Sequence, residues 1–125
     1  MKFKRIILPV LLATIWISLS EFLRNQVLFS RYWTDHYRSL GVTFPAEPIN
    51  GAMWGVWSLL YAIAIFILSK RFSLTETFLL AWLTGFGMMW VVIGNLGVLP
   101  FPLLYFAVPL SLLEAWVASF ICKKL

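Results

Sequence analysis

Four long apolar runs separated by short polar stretches set the pattern of this chain, at about residues 6–29, 51–69, 75–94 and 101–122. A helix needs roughly 20 apolar residues to cross about 30 Å of hydrocarbon, and each run is of that order. Backbone N–H and C=O groups find no water in lipid, so the runs read as helices. Nothing shows the ten-residue alternation of a membrane barrel. The pattern predicts an all-α membrane protein. One four-span domain, residues 1–125, forms an antiparallel bundle of four transmembrane helices.

The polar breaks support this layout. In "KRFSLTE", Ser73 and Glu76 make an S-x-x-E capping box, so Glu76 reads as a helix-start device rather than a catalytic acid. "NLGVLPFP" places glycine after one helix and prolines at the start of the next. Links this short force antiparallel neighbours. The long connection is about residues 30–50. Its "RYWTDHYRSLG" mixes aromatic and charged residues and predicts a short helix lying at the interface. Asn50 is positioned to cap the second span.

Helical periodicity assigns each run a face. Span one gathers Thr14, Ser18, Glu21, Arg24 and Asn25. Span two gathers Gly51, Gly55, Ser58 and Ala62. Span three gathers Thr77, Thr84, Met88 and Asn95, with Gly87 and Gly94 beside them. Span four gathers Ala107, Ser111, Ala115, Ala118 and Ser119, with Glu114 at the edge of the stripe. Its opposite face carries Phe106, Leu113, Trp116 and Phe120. Small residues let membrane helices approach closely, so these stripes are expected to face one another. Gly51-x-x-x-Gly55 fits the same rule.

Composition sharpens the picture. The 125 residues are 62% hydrophobic and 12% charged, more apolar than one soluble core can bury. The net charge of +5 is spread around the ends of the apolar runs, which argues for a lipid bilayer as partner and against nucleic acid. Lys2, Lys4, Arg5, Lys70, Arg71, Lys123 and Lys124 fall on one side of the four-span layout, and Arg31 and Arg38 on the other. That bias predicts cytoplasmic N- and C-termini and a multi-pass protein of the cell's inner membrane. "MKFKRIILPVLLATIWISLS" has the basic head and apolar body of a secretory signal. No A-x-A site follows, so it is read as a retained first helix. The single cysteine, Cys122, excludes an intrachain disulfide.

Two polar levels remain inside the apolar runs. Glu114 lies nine residues before Lys123, about 13 Å in from that edge at 1.5 Å per residue. Ser18, Thr14, Tyr61, Trp82 and Thr84 are the neighbours expected at its depth, with Ser111 one turn away. None of these is a cation. The expectation is a neutral, protonated carboxyl group. It serves either as a protonatable transport site or as a hydrogen-bonded strut. Nearer the loop side, Glu21 and Arg24 are spaced to pair along one helix, with Asn25, Asn50 and Asn95 at similar depth. This level reads either as a self-neutralised pair with helix caps or as a pocket for an anionic or zwitterionic headgroup anchored by Arg24. His36, with only Asp35 beside it, is assigned no metal role, and no cofactor is expected.

Two resemblances bear on the residues named. Size and span number are similar to those of the small multidrug resistance exporters. These carry a membrane-embedded Glu in helix one and work as dimers. Glu21 is the only candidate for that role here. Arg24 one turn away and the long loop "RYWTDHYRSLGVTFPAEPIN" depart from that family, so the likeness is one of architecture. "LGVTFPAEPINGAMWGVWSLLYA" with "GFGMMWVVIGNLGVLP" resembles small uncharacterised four-helix bacterial membrane proteins, a resemblance that implies the four-span fold and no activity.

Two functional expectations follow. One is a non-enzymatic structural or accessory component, acting as a homo-oligomer or beside a larger membrane protein. The other is a small transporter or lipid-handling protein using Glu114 or the Glu21–Arg24–Asn25 level. An enzyme ranks third, because no catalytic constellation is legible. The test between the first two is whether open space reaches Glu114.

Overall fold

The computed structural model describes residues 2–125. Its helices are α1 (Lys2–Phe22), extended by a π-helical segment Leu23–Leu28, and α2 (Ser30–Ser39). Next come α3 (Pro48–Ser69) and α4 (Leu74–Trp82), the latter passing through a second π-helical segment, Leu83–Gly87, into α5 (Met88–Asn95). A 3-10 turn, Phe101–Leu103, leads into α6 (Leu104–Lys124). Four continuous stretches are long and apolar enough to cross a membrane: Lys2–Leu28, Pro48–Ser69, Leu74–Asn95 and Phe101–Lys124. They form an all-α, antiparallel four-span bundle. Both termini and the α3–α4 link lie at one end, called here the terminal end. The α1–α3 connection and the α5–α6 turn lie at the other, the loop end.

Each span packs against the next in sequence, and α6 closes the ring on α1 while also touching α3 across the centre. Close approach comes from small side chains. Ala13, Ala62, Ala115 and Ala118 are fully buried. On α6 the stripe Ala107, Ser111, Ala115, Ala118 and Ser119 faces inward, while Phe106, Leu113, Trp116 and Phe120 face outward. In lipid there is no hydrophobic gain between helices, so the packing of such small faces carries the association.

The helix ends are closed by local chemistry. Ser73 Oγ accepts the Glu76 N–H at 3.2 Å, and Glu76 Oε1 accepts the Ser73 N–H at 3.1 Å. Gly97 ends α5 at φ +80°, a left-handed conformation that favours glycine. Val98 N–H then reaches back to the Ile93 carbonyl and Gly97 N–H to that of Gly94, the Schellman pattern. At the terminal end Lys123 Nζ donates to the Ser69 and Phe72 carbonyls, each at 2.9 Å, and Lys70 Nζ donates to the Cys122 carbonyl at 3.3 Å. Two lysines therefore satisfy the exposed carbonyls of each other's helix and hold α3 to α6.

Two expectations about faces are corrected. On the third span Thr77 and Ala81 point inward, but the next inward residue is Phe86, and Thr84, Met88 and Asn95 are exposed. The cause is the π-helical segment at Leu83–Gly87. A π turn takes in one extra residue and rotates everything after it. An unbroken α-helix would turn Gly85 and Met88 inward; here Phe86 and half-buried Met89 take their place. On the second span Ser58 and Ala62 are buried, but Gly51 and Gly55 are exposed, with nothing within 4 Å of a Cβ built on either. The bundle closes toward its terminal end and stays open beside these glycines. Asn50 is also placed differently. Glu47 occupies the N-cap position of α3, and Asn50 sits three residues on, its Oδ1 accepting the Glu47 N–H at 2.9 Å.

Candidate functional site: a buried charge cluster with two openings

Glu114 faces a cation. Arg24 Nη1 donates to Glu114 Oε1 at 3.3 Å, and Arg24 Nη2 donates to Glu21 Oε1 at 2.8 Å. All three side chains are buried, with Glu114 1% exposed, Arg24 5% and Glu21 6%. This overturns the expectation that no cation stands near Glu114 and merges the two polar levels into one site. Counting residues along each helix places Cα atoms, not charged tips. Helical side chains lean toward their own N-terminus. On α1 that lean carries Arg24 from the loop end toward mid-membrane. On antiparallel α6 it carries Glu114 toward the loop end. The two side chains converge because their helices run in opposite directions.

The cluster continues outward. Asn25 Nδ2 donates to Glu21 Oε2 at 2.9 Å, and Trp33 Nε1 of α2 donates to Asn25 Oδ1 at 3.0 Å. An unbroken chain of polar contacts thus runs from α2 through Asn25, Glu21 and Arg24 to Glu114. Arg24 also lies over the Phe86 ring, 5.4 Å from its centroid. The rotated third span places Phe86 there, so the π turn supplies one wall of the site. Trp16 Nε1 donates to the Glu114 carbonyl at 3.0 Å and fixes α6 beside α1. Glu114 Oε2 is buried without a hydrogen-bond partner. One guanidinium thus faces two carboxyl groups, and one of their four oxygens is left over.

The remaining candidates form separate contacts. Tyr61 Oη donates to the Ala81 carbonyl at 2.7 Å, on the lip of the π turn. Gly85 makes room for it, because a Cβ there would lie 2.5 Å from the Tyr61 ring. Thr84 bonds back to the Leu80 carbonyl at 2.8 Å. Ser111 accepts from Trp82 Nε1 at 2.9 Å and donates to the Val108 carbonyl at 3.0 Å. None of these bonds reaches Glu114. Ser18 is half-buried beside Glu21 on the wall of a cavity. Asn50 lies three residues after the Glu47 N-cap of α3 and bonds back to it, and Asn95 is exposed at the loop end. Among the described residues no three His, Cys, Asp or Glu side chains gather as a metal site would require.

Two cavities meet the cluster from the loop half. A groove of about 540 Å³ runs between α1 and α3 and is lined by Ser18, Glu21, Asn25, Glu47, Trp54 and Gly55 among others. A second cavity, about 190 Å³, lies under α2 and the loop after it, bordered by Arg24, Trp33, Tyr37, Phe44 and Trp90. Glu21, Asn25, Gln26 and Trp54 border both; Arg24 borders only the second; Glu114 borders neither. The cover over the second cavity is tied at several points. Phe29 stacks on Phe106 at 4.9 Å, Tyr37 meets Phe44 edge-on at 5.0 Å, and His36 Nε2 contacts the Gly97 carbonyl at 2.7 Å. Sequence reasoning offered a pocket at the Arg24 level as one alternative, where the second cavity lies, but did not foresee the groove between α1 and α3. The aromatic content of the loop was the one available sign.

No family model, curated protein or solved structure matches the chain. Its class therefore rests on its own architecture: an all-α bundle with four helices able to span a membrane, carrying an ion cluster in its interior.

Proposed function

We propose that this protein binds a membrane-dissolved amphiphile in its loop-side half and is a small lipid-handling or transport protein rather than an enzyme. One observation carries the reading: open space reaches Glu21 and Arg24 of the buried cluster, while Glu114 itself stays packed, and both openings lie on the same side of it. A strut could be packed shut on all sides. Roughly 300–1,000 Å³ is the range of small-molecule sites, and the larger groove falls within it. No catalytic step is included, because the cluster's charged groups are committed to one another.

Orientation belongs to the same proposal. The basic residues at the terminal end favour that end in the cytoplasm, so the openings face the opposite leaflet. Reporter fusions at each end test this assignment.

The binding test is native mass spectrometry of protein released from nanodiscs made with a total lipid extract. The expected result is an amphiphile retained by the wild type and lost in Gly55→Leu, which fills the groove. A chain that emerges bare, and behaves like Gly55→Leu, would overturn the reading. A second reading, an accessory or oligomeric component, draws on the exposed Gly51 and Gly55 face, which could accept a helix of another copy or of a larger membrane protein. A dimer that Gly55→Leu separates would favour it.

A further inference from the structure

We infer that the α1–α3 groove selects a single-chain amphiphile with a cationic, amine-type headgroup; this rests on the amphiphile-binding reading above. The argument is one of charge. The groove lining contains Glu21 and Glu47 and no Lys, Arg or His. The nearby cation, Arg24, borders the other cavity and is already opposed by two carboxylates. The groove therefore meets Glu21, whose charge Arg24 balances from behind, and the exposed Glu47 carboxylate, which makes no ion pair among the described residues. An anionic headgroup would face the Glu47 carboxylate with no cation in the lining to meet it. Of the anionic or zwitterionic headgroups offered as one alternative on the strength of Arg24, the anionic one therefore does not suit this opening.

The remaining wall fits the same ligand. Asn25, Gln26 and Asn50 place amide groups beside the carboxylates, so an ammonium N–H has acceptors within the lining. Trp54 is the indole in the lining, and indole attracts cations more strongly than other aromatic rings. Leu19, Phe22, Gly51 and Gly55 form an apolar slot for one chain, open because the two glycines have no side chains to fill it. Charge interactions are strengthened there, since the partly apolar surroundings screen less than water.

The experiment uses full-length protein in nanodiscs and four twelve-carbon amphiphiles: trimethylammonium, primary amine, sulfate and uncharged sugar. Retention is read by native mass spectrometry. Both cations are expected to be retained at least about ten-fold better than the sulfate. Glu47→Gln should weaken cation retention about three-fold, a modest effect because Glu47 is solvent-exposed. Gly55→Leu should abolish retention of every probe. Ala52→Leu, on the same helix but outside the groove lining, should leave retention unchanged and so controls for folding. Equal retention of sulfate or sugar would overturn the cationic preference and leave amphiphile binding standing. No retention of any probe, with Gly55→Leu indistinguishable from wild type, would overturn both. A dimer that Gly55→Leu converts to monomer would assign the groove to a second copy and overturn the proposal.

Discussion

Toward the terminal end, alanines and serines from α1, α3 and α6 close on one another, and Lys70 and Lys123 tie the helix ends together. Toward the loop end, Gly51 and Gly55 face open space, and charged groups stand where the terminal half has alanine. Both halves use small residues. In the first they bring helices together; in the second they hold them apart from anything this chain supplies. A glycine pair thus has no fixed meaning in a membrane helix. Its meaning comes from whether a neighbouring face arrives to meet it.

The sharpest way to break this contrast is at the ion cluster where the halves meet. Arg24→Met roughly keeps volume and removes the cation from between two buried carboxyl groups. It should destabilise the bundle by about 3–5 kcal/mol, the usual cost of leaving a buried charge unpaired. Glu114→Gln should cost about 1 kcal/mol or less, because Glu21 still neutralises Arg24 and the amide can still accept from it. Thermal or denaturant unfolding in micelles measures both. Equal losses would mean that Glu114 matters to the cluster as much as Arg24 does.

The packed half is tested next. Ala115→Leu forces three carbons into a fully closed contact and should cost about 1–3 kcal/mol. Tyr61→Phe removes one buried hydrogen bond to the Ala81 carbonyl and should cost about 1 kcal/mol in the same assay. If Tyr61→Phe were silent, the π turn would be held by Phe86 and its ring neighbours rather than by that bond.

Much of this architecture was legible in the chain. The apolar runs locate all four spans, and the small stripe of α6 was readable because α6 stays α-helical from Leu104 to Lys124. The third span misled at one point. Periodicity assumes 3.6 residues per turn throughout, and no residue type in "LTGFG" announces a π turn. Every face assigned beyond Leu83 was therefore rotated. The Arg24–Glu114 contact was hidden for a different reason. Depth was counted between backbone positions, whereas a long side chain on one helix and a shorter one on its antiparallel neighbour meet between those positions. The groove was hidden because the sequence shows which residues are small but not which of them remain uncovered.

The smallest expected effect tests that last point directly. Gly55→Leu adds about as much apolar bulk as Ala115→Leu, and in a uniformly packed bundle the two would be similarly damaging. Gly55 has nothing within 4 Å of a built Cβ, so its new side chain enters empty space rather than a neighbour. Loss of glycine in a helix interior also favours the folded state by roughly 0.5–1 kcal/mol. The two terms predict a change within about 0.5 kcal/mol of neutral or a slight gain. The unfolding midpoint should therefore stay near wild type even as the groove is filled. A loss comparable to that of Ala115→Leu would show that the loop half is as tightly closed as the terminal half, and the distinction between them would fall.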